Sequence, residues 1–308
     1  MMRTSETADA DAQDEGIDLG GGFVLVDDPA HGPLIEATAL ADTGALGFAS
    51  PASVDARLDA DALAWVSRAG LAPRRTLCAL DQVHSATCAA AGDGQTVTIA
   101  PAYCAACGAP LDPGATRCPY CSAPVEPVAL ARLSGVDAVW TSSPDDLLIV
   151  RTADCAAVWL VDPEHERLAM VHAGWRGAAD GIIRHTVDTL REQGAHPDFI
   201  IAAIGPHIGP CCFEIGPEVA GRFSTIDGAV GPASLLTAPR KRDDSASLNL
   251  GAVLVAQLRD AGLPAAAINL STACTRCFRL PDGTFALHSY RRNGAGGPLA
   301  GSVGFLER

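Results

Sequence analysis

Apolar positions along the chain fall into short runs punctuated by turn residues, and the spacing inside each run separates strands from helices. Leu147–Thr152, Ala156–Val161 and Leu168–His172 are short and apolar, which predicts three neighbouring strands of one sheet. Thr76–Val83 predicts a further strand that ends directly on His84, and Phe199–Ile204 another. Ile182, Ile183, Val187 and Leu190 recur at helical spacing within Ala179–Arg191, with Gly194 as the stop. Leu250, Val253, Leu254, Gln257 and Leu258 form a second stripe, predicting a helix over Leu248–Ala261 that Gly262-Leu263-Pro264 ends. A shorter helix is expected between Asp59 and Gly70 around Leu63, Trp65 and Val66. Strands interleaved with helices place the core in the α/β or α+β class.

Two stretches break this pattern. Residues 1–21 are acidic and polar and read as a disordered tail, with ordered structure expected from Gly22. Residues 92–133 lose hydrophobic periodicity and turn to small residues, prolines and four cysteines, which reads as a module inserted between core segments 22–91 and 134–308.

Composition narrows the function. With 308 residues, 48% of them hydrophobic, the chain can bury one large core or two modest ones. A net charge of -14 disfavours nucleic acid or an anionic membrane as partner. The single lysine, Lys241, sits in the polar run Arg240-Lys241-Arg242-Asp243-Asp244, which disfavours Schiff-base chemistry. The start shows no apolar signal segment and no run approaches a membrane span, so a cytoplasmic location is expected, with oligomeric state left open. In that compartment eleven cysteines point to metal rather than to disulfides.

The clustered cysteines are Cys104-x-x-Cys107 and, ten residues on, Cys118-x-x-Cys121. Two such knuckles place four thiolates around one zinc, a closed shell and hence a structural zinc ribbon. A second constellation is dispersed: Asp81-Gln82-Val83-His84, Thr152-Ala153-Asp154-Cys155 and His172-Ala173-Gly174-Trp175-Arg176-Gly177, each at the end or turn of a strand-like run. One thiolate and two imidazoles leave a fourth position open, the pattern of catalytic zinc. Spacing alone leaves the blander account standing, in which Cys155 is a small buried hydrophobe and His84 and His172 are hydrogen-bonded residues.

The order and wording of these stretches, with Asp137-Ala138-Val139-Trp140-Thr141, Gly205-Pro206-His207-Ile208-Gly209-Pro210-Cys211-Cys212-Phe213-Glu214 and Ser289-Tyr290-Arg291-Arg292, resemble the YfiH-type laccase-domain family. The resemblance covers about residues 75–91 and 134–306. It implies an α+β fold, a mixed β-sheet core packed with helices, in which the ribbon is an extra insertion. It also implies a zinc on His84, Cys155 and His172, so two zinc ions per chain, with zinc favoured over copper because the eight histidines are too few and scattered for a multicopper cluster. The implied chemistry is that of purine nucleoside phosphorylases acting on adenosine, inosine or methylthioadenosine with phosphate, and of adenosine deaminases. Asp154 is then a candidate proton-transfer group, and Gln82, Arg176 and Arg291 are candidate substrate contacts, the two arginines being equally able to pair with buried carboxylates such as Asp154.

Two departures matter. The family's N-terminal Arg-x-Gly-Gly-x-Ser has no clear counterpart around Thr43–Gly47, and its late Thr-Gly-Arg falls on Gly297-Pro298-Leu299. Loss of two guanidiniums argues against a phosphate site of the usual kind. This keeps alternatives open: a hydrolase acting on a cell-wall precursor, a copper-dependent phenol oxidase, or a non-enzymatic chain whose ribbon recruits a partner. Trp175 is expected to pack beneath the site, and Cys211-Cys212 to be a structural loop flanked by His207 and Glu214. Cys274-x-x-Cys277 has no second pair nearby in the sequence, so whether it binds metal stays open.

Overall fold

The computed structural model describes residues 16–28, 32–43, 45–49, 76–99, 104, 107, 109–112, 114–237, 240–294 and 299–305. The helix expected between Asp59 and Gly70 lies outside them. In chain order the strands are β1 (Ile17–Asp18), β2 (Phe23–Asp28), β3 (Gly32–Ala37), β4 (Ala45–Ala49), β5 (Thr76–Asp81), β6 (Cys88–Ala90), β7 (Gln95–Ile99), β8 (Val128–Ser134) and β9 (Ala138–Thr141). They continue as β10 (Asp146–Thr152), β11 (Ala156–Asp162), β12 (Arg167–Ala173), β13 (Ile201–Ile204), β14 (Glu214–Ile215), β15 (Val230–Pro232), β16 (Ala246–Leu248), β17 (Ile268–Leu270) and β18 (Leu299–Phe305). The α-helices are α1 (Trp175–Ala179), α2 (Ile182–Glu192), α3 (Pro217–Phe223), α4 (Leu250–Asp260) and α5 (Tyr290–Asn293).

One nine-stranded sheet runs β1-β2-β3-β4-β18-β10-β5-β8-β7, and a six-stranded sheet runs β17-β13-β11-β12-β9-β6. Both mix parallel and antiparallel pairs. Strand alternation explains how they stack. Side chains of Ala156, Val158 and Leu160 join one core cluster with Ile182, Val187 and Leu190 of α2 and Val253 and Leu254 of α4. Their neighbours Ala157, Trp159 and Val161 join a second cluster with Leu148 and Val150 of β10 and Phe23 of β2. The six-stranded sheet is therefore covered on both faces, by helices on one side and by the nine-stranded sheet on the other, which is why β11 is buried at every position. This is the expected α+β fold. Among the described residues no helix is long and apolar enough to cross a membrane.

Several boundaries differ from the sequence reading. Ordered structure begins before Gly22: β1 pairs with β2, and Leu19 is buried in the inter-sheet core. The helix expected from Ala179 starts at Ile182, because Gly181 adopts φ 85 and turns the chain between it and the short α1 that ends at Ala179. Residues 92–133 contain β7 and β8, which pair with each other and extend the nine-stranded sheet through β5. Cys104, Cys107, Cys118 and Cys121 lie between those two strands. Polar alternation in Gln95–Ile99 hid an edge strand from a search for apolar runs.

Candidate metal centre

Parity carries two of the candidate ligands to one place. Cys155 precedes β11 in step with Ala157 and Trp159, and His172 lies on β12 in step with Leu168 and Met170, all directed between the two sheets. Ala157 pairs with His172 in register, so Cys155 and His172 meet at the same end of adjacent strands. The turn Ala153-Asp154-Cys155 is where the chain leaves the nine-stranded sheet for the six-stranded one. His84 arrives from the other sheet, on the loop after β5. Ligand atoms of His84, Cys155 and His172 all lie within 4.8 Å of one another, and the two imidazoles stand edge to face at 5.0 Å. His84 and Asp154 are both held at positive φ, 62° and 92°, a conformation non-glycine residues seldom adopt and one that clusters at functional sites.

Asp137, wholly buried at the head of β9, organises this arrangement. It accepts from His172 Nδ1 at 2.7 Å, and from the backbone N–H groups of Val83 at 3.2 Å and Ser85 at 2.5 Å, on either side of His84. His172 is thereby left with Nε2 for a metal, and the His84 loop is fastened to the same carboxylate. In the linear sequence Asp137 stands apart from the candidate ligands. Its signal was an acidic residue opening a buried strand.

Two glycines of the His172–Gly177 stretch are explained by close approach. A Cβ on Gly174 would sit 2.8 Å from Cys155 Sγ and 3.1 Å from His84 Cδ2, and one on Gly177 would sit 2.8 Å from the Ser85 carbonyl oxygen.

The trio opens on a cavity of about 690 Å³ lined by Gln82, Asp154, Trp175, Phe213 and Tyr290 and by three arginines, Arg151, Arg176 and Arg291. The four residues singled out in the sequence beside the trio, Gln82, Asp154, Arg176 and Arg291, all line this cavity. The Gln82 amide donates to the Arg151 carbonyl at 2.7 Å and accepts from the Arg151 N–H at 2.8 Å, acting as an added strand partner for β10. Asp154 accepts from Thr275 Oγ1 and from the Arg291 backbone N–H, both at 2.7 Å. With both oxygens engaged it fits positioning better than the proton transfer suggested by adjacency. Of the two alternatives open for Arg176 and Arg291, neither guanidinium takes the pairing with Asp154: Arg291 donates to the Glu214 carbonyl at 3.2 Å and lies over Phe213, and Arg176 stacks on Trp175 at 4.5 Å. Arg151 was missed because it lies inside an apolar strand run.

Burial opposes a charged Cys155, yet hydrogen bonds with His172 and His84 lower its thiol to about 7. Burial also opposes a charged His172, and hydrogen bonds to Asp137 and Cys155 raise it to about 9. Since a metal must displace the His172 proton, affinity of the metal-free protein for zinc should climb as pH rises from about 7 to about 9 and level off beyond. Competition titrations against a chromogenic chelator across that range check this, and a flat profile would contradict it.

Two further groups could hold metal. In the first, Cys104 and Cys121 sulfurs are 3.5 Å apart and Cys107 and Cys118 sulfurs 3.6 Å apart. In the second, Cys211-Cys212 meets Cys274-x-x-Cys277, which supplies the second pair that the linear sequence lacked.

A sequence profile described as multi-copper polyphenol oxidoreductase laccase matches residues 52–305. The chain belongs to this family. Among the described residues of this laccase-family chain, the metal-capable groups are two four-cysteine clusters and the His84–Cys155–His172 trio, and none gathers the many histidines that the words multi-copper imply. The fold is that of the Bacillus licheniformis hypothetical protein YfiH, with TM-score 0.68 and 22% identity over 92% of this chain and 98% of that one. YlmD from Geobacillus stearothermophilus superposes with TM-score 0.63 and 24% identity, over 92% and 99%. In sequence, the family member is 38% identical to adenosine deaminase RL5 from an unknown prokaryotic organism over 48% of this chain and 55% of that protein. It is 34% identical to purine nucleoside phosphorylase YlmD of Geobacillus stearothermophilus over 54% and 59%, and 41% identical to a Haemophilus influenzae purine nucleoside phosphorylase over 30% and 36%. The chain thus aligns with between about a third and three fifths of these relatives' lengths.

Proposed function

We propose that this protein is a zinc-dependent enzyme acting on purine nucleosides, a phosphorylase with adenosine deaminase activity at the same centre. The observation that carries this reading is the His84–Cys155–His172 trio at one side of the 690 Å³ cavity, a size typical of small-molecule sites. Relatives named purine nucleoside phosphorylase and adenosine deaminase support the choice of substrate.

The donor set suits zinc: one soft thiolate, two imidazoles, a carboxylate behind one of them, and an open side toward the cavity. When bound, the metal supplies a Lewis acid at the cavity wall. Trp175, Phe213, Ile208 and Leu250 present apolar faces on which a purine ring can lie. Arg151, Arg176 and Arg291 bring positive charge to the same space, so an anion site is available even though the family's two other arginine positions have no counterpart in this chain. Asp154 and Gln82 hold the walls in register. We read Cys104, Cys107, Cys118 and Cys121 as a structural zinc ribbon carried between β7 and β8.

Zinc-loaded protein incubated with adenosine, inosine and methylthioadenosine, with and without phosphate, should release free purine only when phosphate is present, and should convert adenosine to inosine without it. Cys155→Ala should abolish both, as followed by chromatography. Absence of turnover on all three nucleosides, or turnover undiminished in Cys155→Ala, would overturn the proposal. Replacing Cys104 and Cys107 by serine should remove one zinc, measured by plasma mass spectrometry, and leave the trio's zinc in place.

A further inference from the structure

We infer that Cys211, Cys212, Cys274 and Cys277 form another metal site, a four-thiolate zinc site that clamps the loop carrying Cys211 and Cys212, which lines the cavity, to the Cys274–Cys277 turn. Their sulfurs all lie within 4.8 Å of one another. Cys211 and Cys277, 66 positions apart in sequence, bring theirs to 3.6 Å. Tetrahedral zinc with bonds of about 2.3 Å has sulfur–sulfur edges of about 3.8 Å. The ribbon cysteines show the same spacing, 3.5 and 3.6 Å.

Local backbone geometry also fits metal thiolates. Cys274-Thr275-Arg276-Cys277 closes as a tight turn, with Cys277 N–H donating to the Cys274 carbonyl at 3.2 Å and Phe278 N–H at 2.9 Å. Gly209 N–H donates to Cys274 Sγ at 3.2 Å, and a Cβ on Gly209 would press on Cys211 Sγ and Cys274 Cβ, both at 3.4 Å. A disulfide would need two of these sulfurs, whereas four converging on one point is the arrangement a cation requires. With four protein ligands the shell is closed, so the role is structural.

What the site would hold is specific. The first loop carries Ile208 and Phe213 into the cavity. The second carries Thr275, whose hydroxyl donates to Asp154 beside Cys155, and Arg292 bonds the carbonyls of Thr275 at 2.9 Å and Arg276 at 3.0 Å. Zinc there would join the loop that places Ile208 and Phe213 in the cavity, through Thr275, to the turn that bears Cys155.

The test is zinc per chain, by plasma mass spectrometry, for the full-length protein and three variants. Wild type should hold three zinc ions, and Cys211→Ser/Cys277→Ser, Cys104→Ser/Cys107→Ser and Cys155→Ala should each hold two. A Cys211→Ser/Cys277→Ser protein with wild-type zinc content overturns the inference. Failure of the trio's zinc would appear separately, as an unchanged count in Cys155→Ala. Should the double variant not fold, the wild type alone decides through alkylation of Cys277, which is exposed. With zinc bound it should react roughly tenfold more slowly than after chelation. Equal rates, or a disulfide at these positions in the purified protein, overturn the inference.

Discussion

Asp137→Asn is expected to weaken zinc binding at the trio by roughly 10- to 100-fold and to destabilise the metal-free protein by about 3–5 kcal/mol. The carboxylate is fully buried and accepts from three donors, His172 Nδ1 and the N–H groups of Val83 and Ser85. Asparagine has the same shape but brings its own N–H pair, so at least one donor loses its acceptor and faces another donor. The consequences separate by atom: His172 loses the partner that fixes its tautomer, and the His84 loop loses its fastening. Chelator competition gives the metal affinity, and urea unfolding of the chelated protein gives the stability. Wild-type affinity in Asp137→Asn would show that the ligands are held by packing alone.

The charge on Asp137 has a sign that can be checked. Burial alone would raise its carboxyl, but hydrogen bonds from His172 and Ser85 hold it well below the ordinary value. A carboxyl depressed in the folded state contributes stability above its ordinary value of about 3.8, lost only as pH falls toward the depressed one. Asp137→Asn should therefore flatten the acid limb of the stability curve as well as lower its plateau.

Gly174→Ala should remove the trio's zinc while leaving the fold in place. Gly174 has φ -85° and ψ 170°, a conformation alanine adopts without strain, so the effect is purely steric. The added methyl would lie 2.8 Å from Cys155 Sγ and 3.1 Å from His84 Cδ2, closer than van der Waals contact on two ligands at once. Overpacking of this kind costs about 1–3 kcal/mol, and here it is relieved by spreading the ligands. The expected result is one zinc fewer per chain, loss of turnover and an unchanged far-ultraviolet dichroism spectrum. Gly181→Ala is the matched control: its φ is 85° and nothing lies within 4 Å of the new methyl, so it should cost about 1 kcal/mol or more in stability and retain all zinc. Normal zinc content in Gly174→Ala would mean that the ligands can shift without losing the metal.

Much of the molecule was legible in the linear pattern because local rules act on neighbouring residues. Short apolar runs bounded by turn residues located β10, β11 and β12, helical spacing located α2 and α4, and doubled Cys-x-x-Cys spacing marked the four-cysteine cluster. The ligand trio was legible as types of residue at strand ends. Its geometry was not, since it depends on Cys155 and His172 sharing strand parity and on the His84 loop crossing from a different sheet. Asp137 escaped notice for the same reason: an isolated acidic residue in the sequence gains its meaning from Val83, Ser85 and His172, all brought to it by folding. Cys274 and Cys277 lacked a partner pair along the chain, and the structure supplies it from Cys211 and Cys212. Sequence alone narrowed the fold to α/β or α+β, with the family resemblance choosing α+β, and marked the types of candidate ligand and the doubled cysteine pairs, because periodicity and spacing are properties of adjacent residues. Only the tertiary structure decided which distant side chains converge, because strand pairing and sheet stacking are fixed by burial of surfaces far apart in the chain.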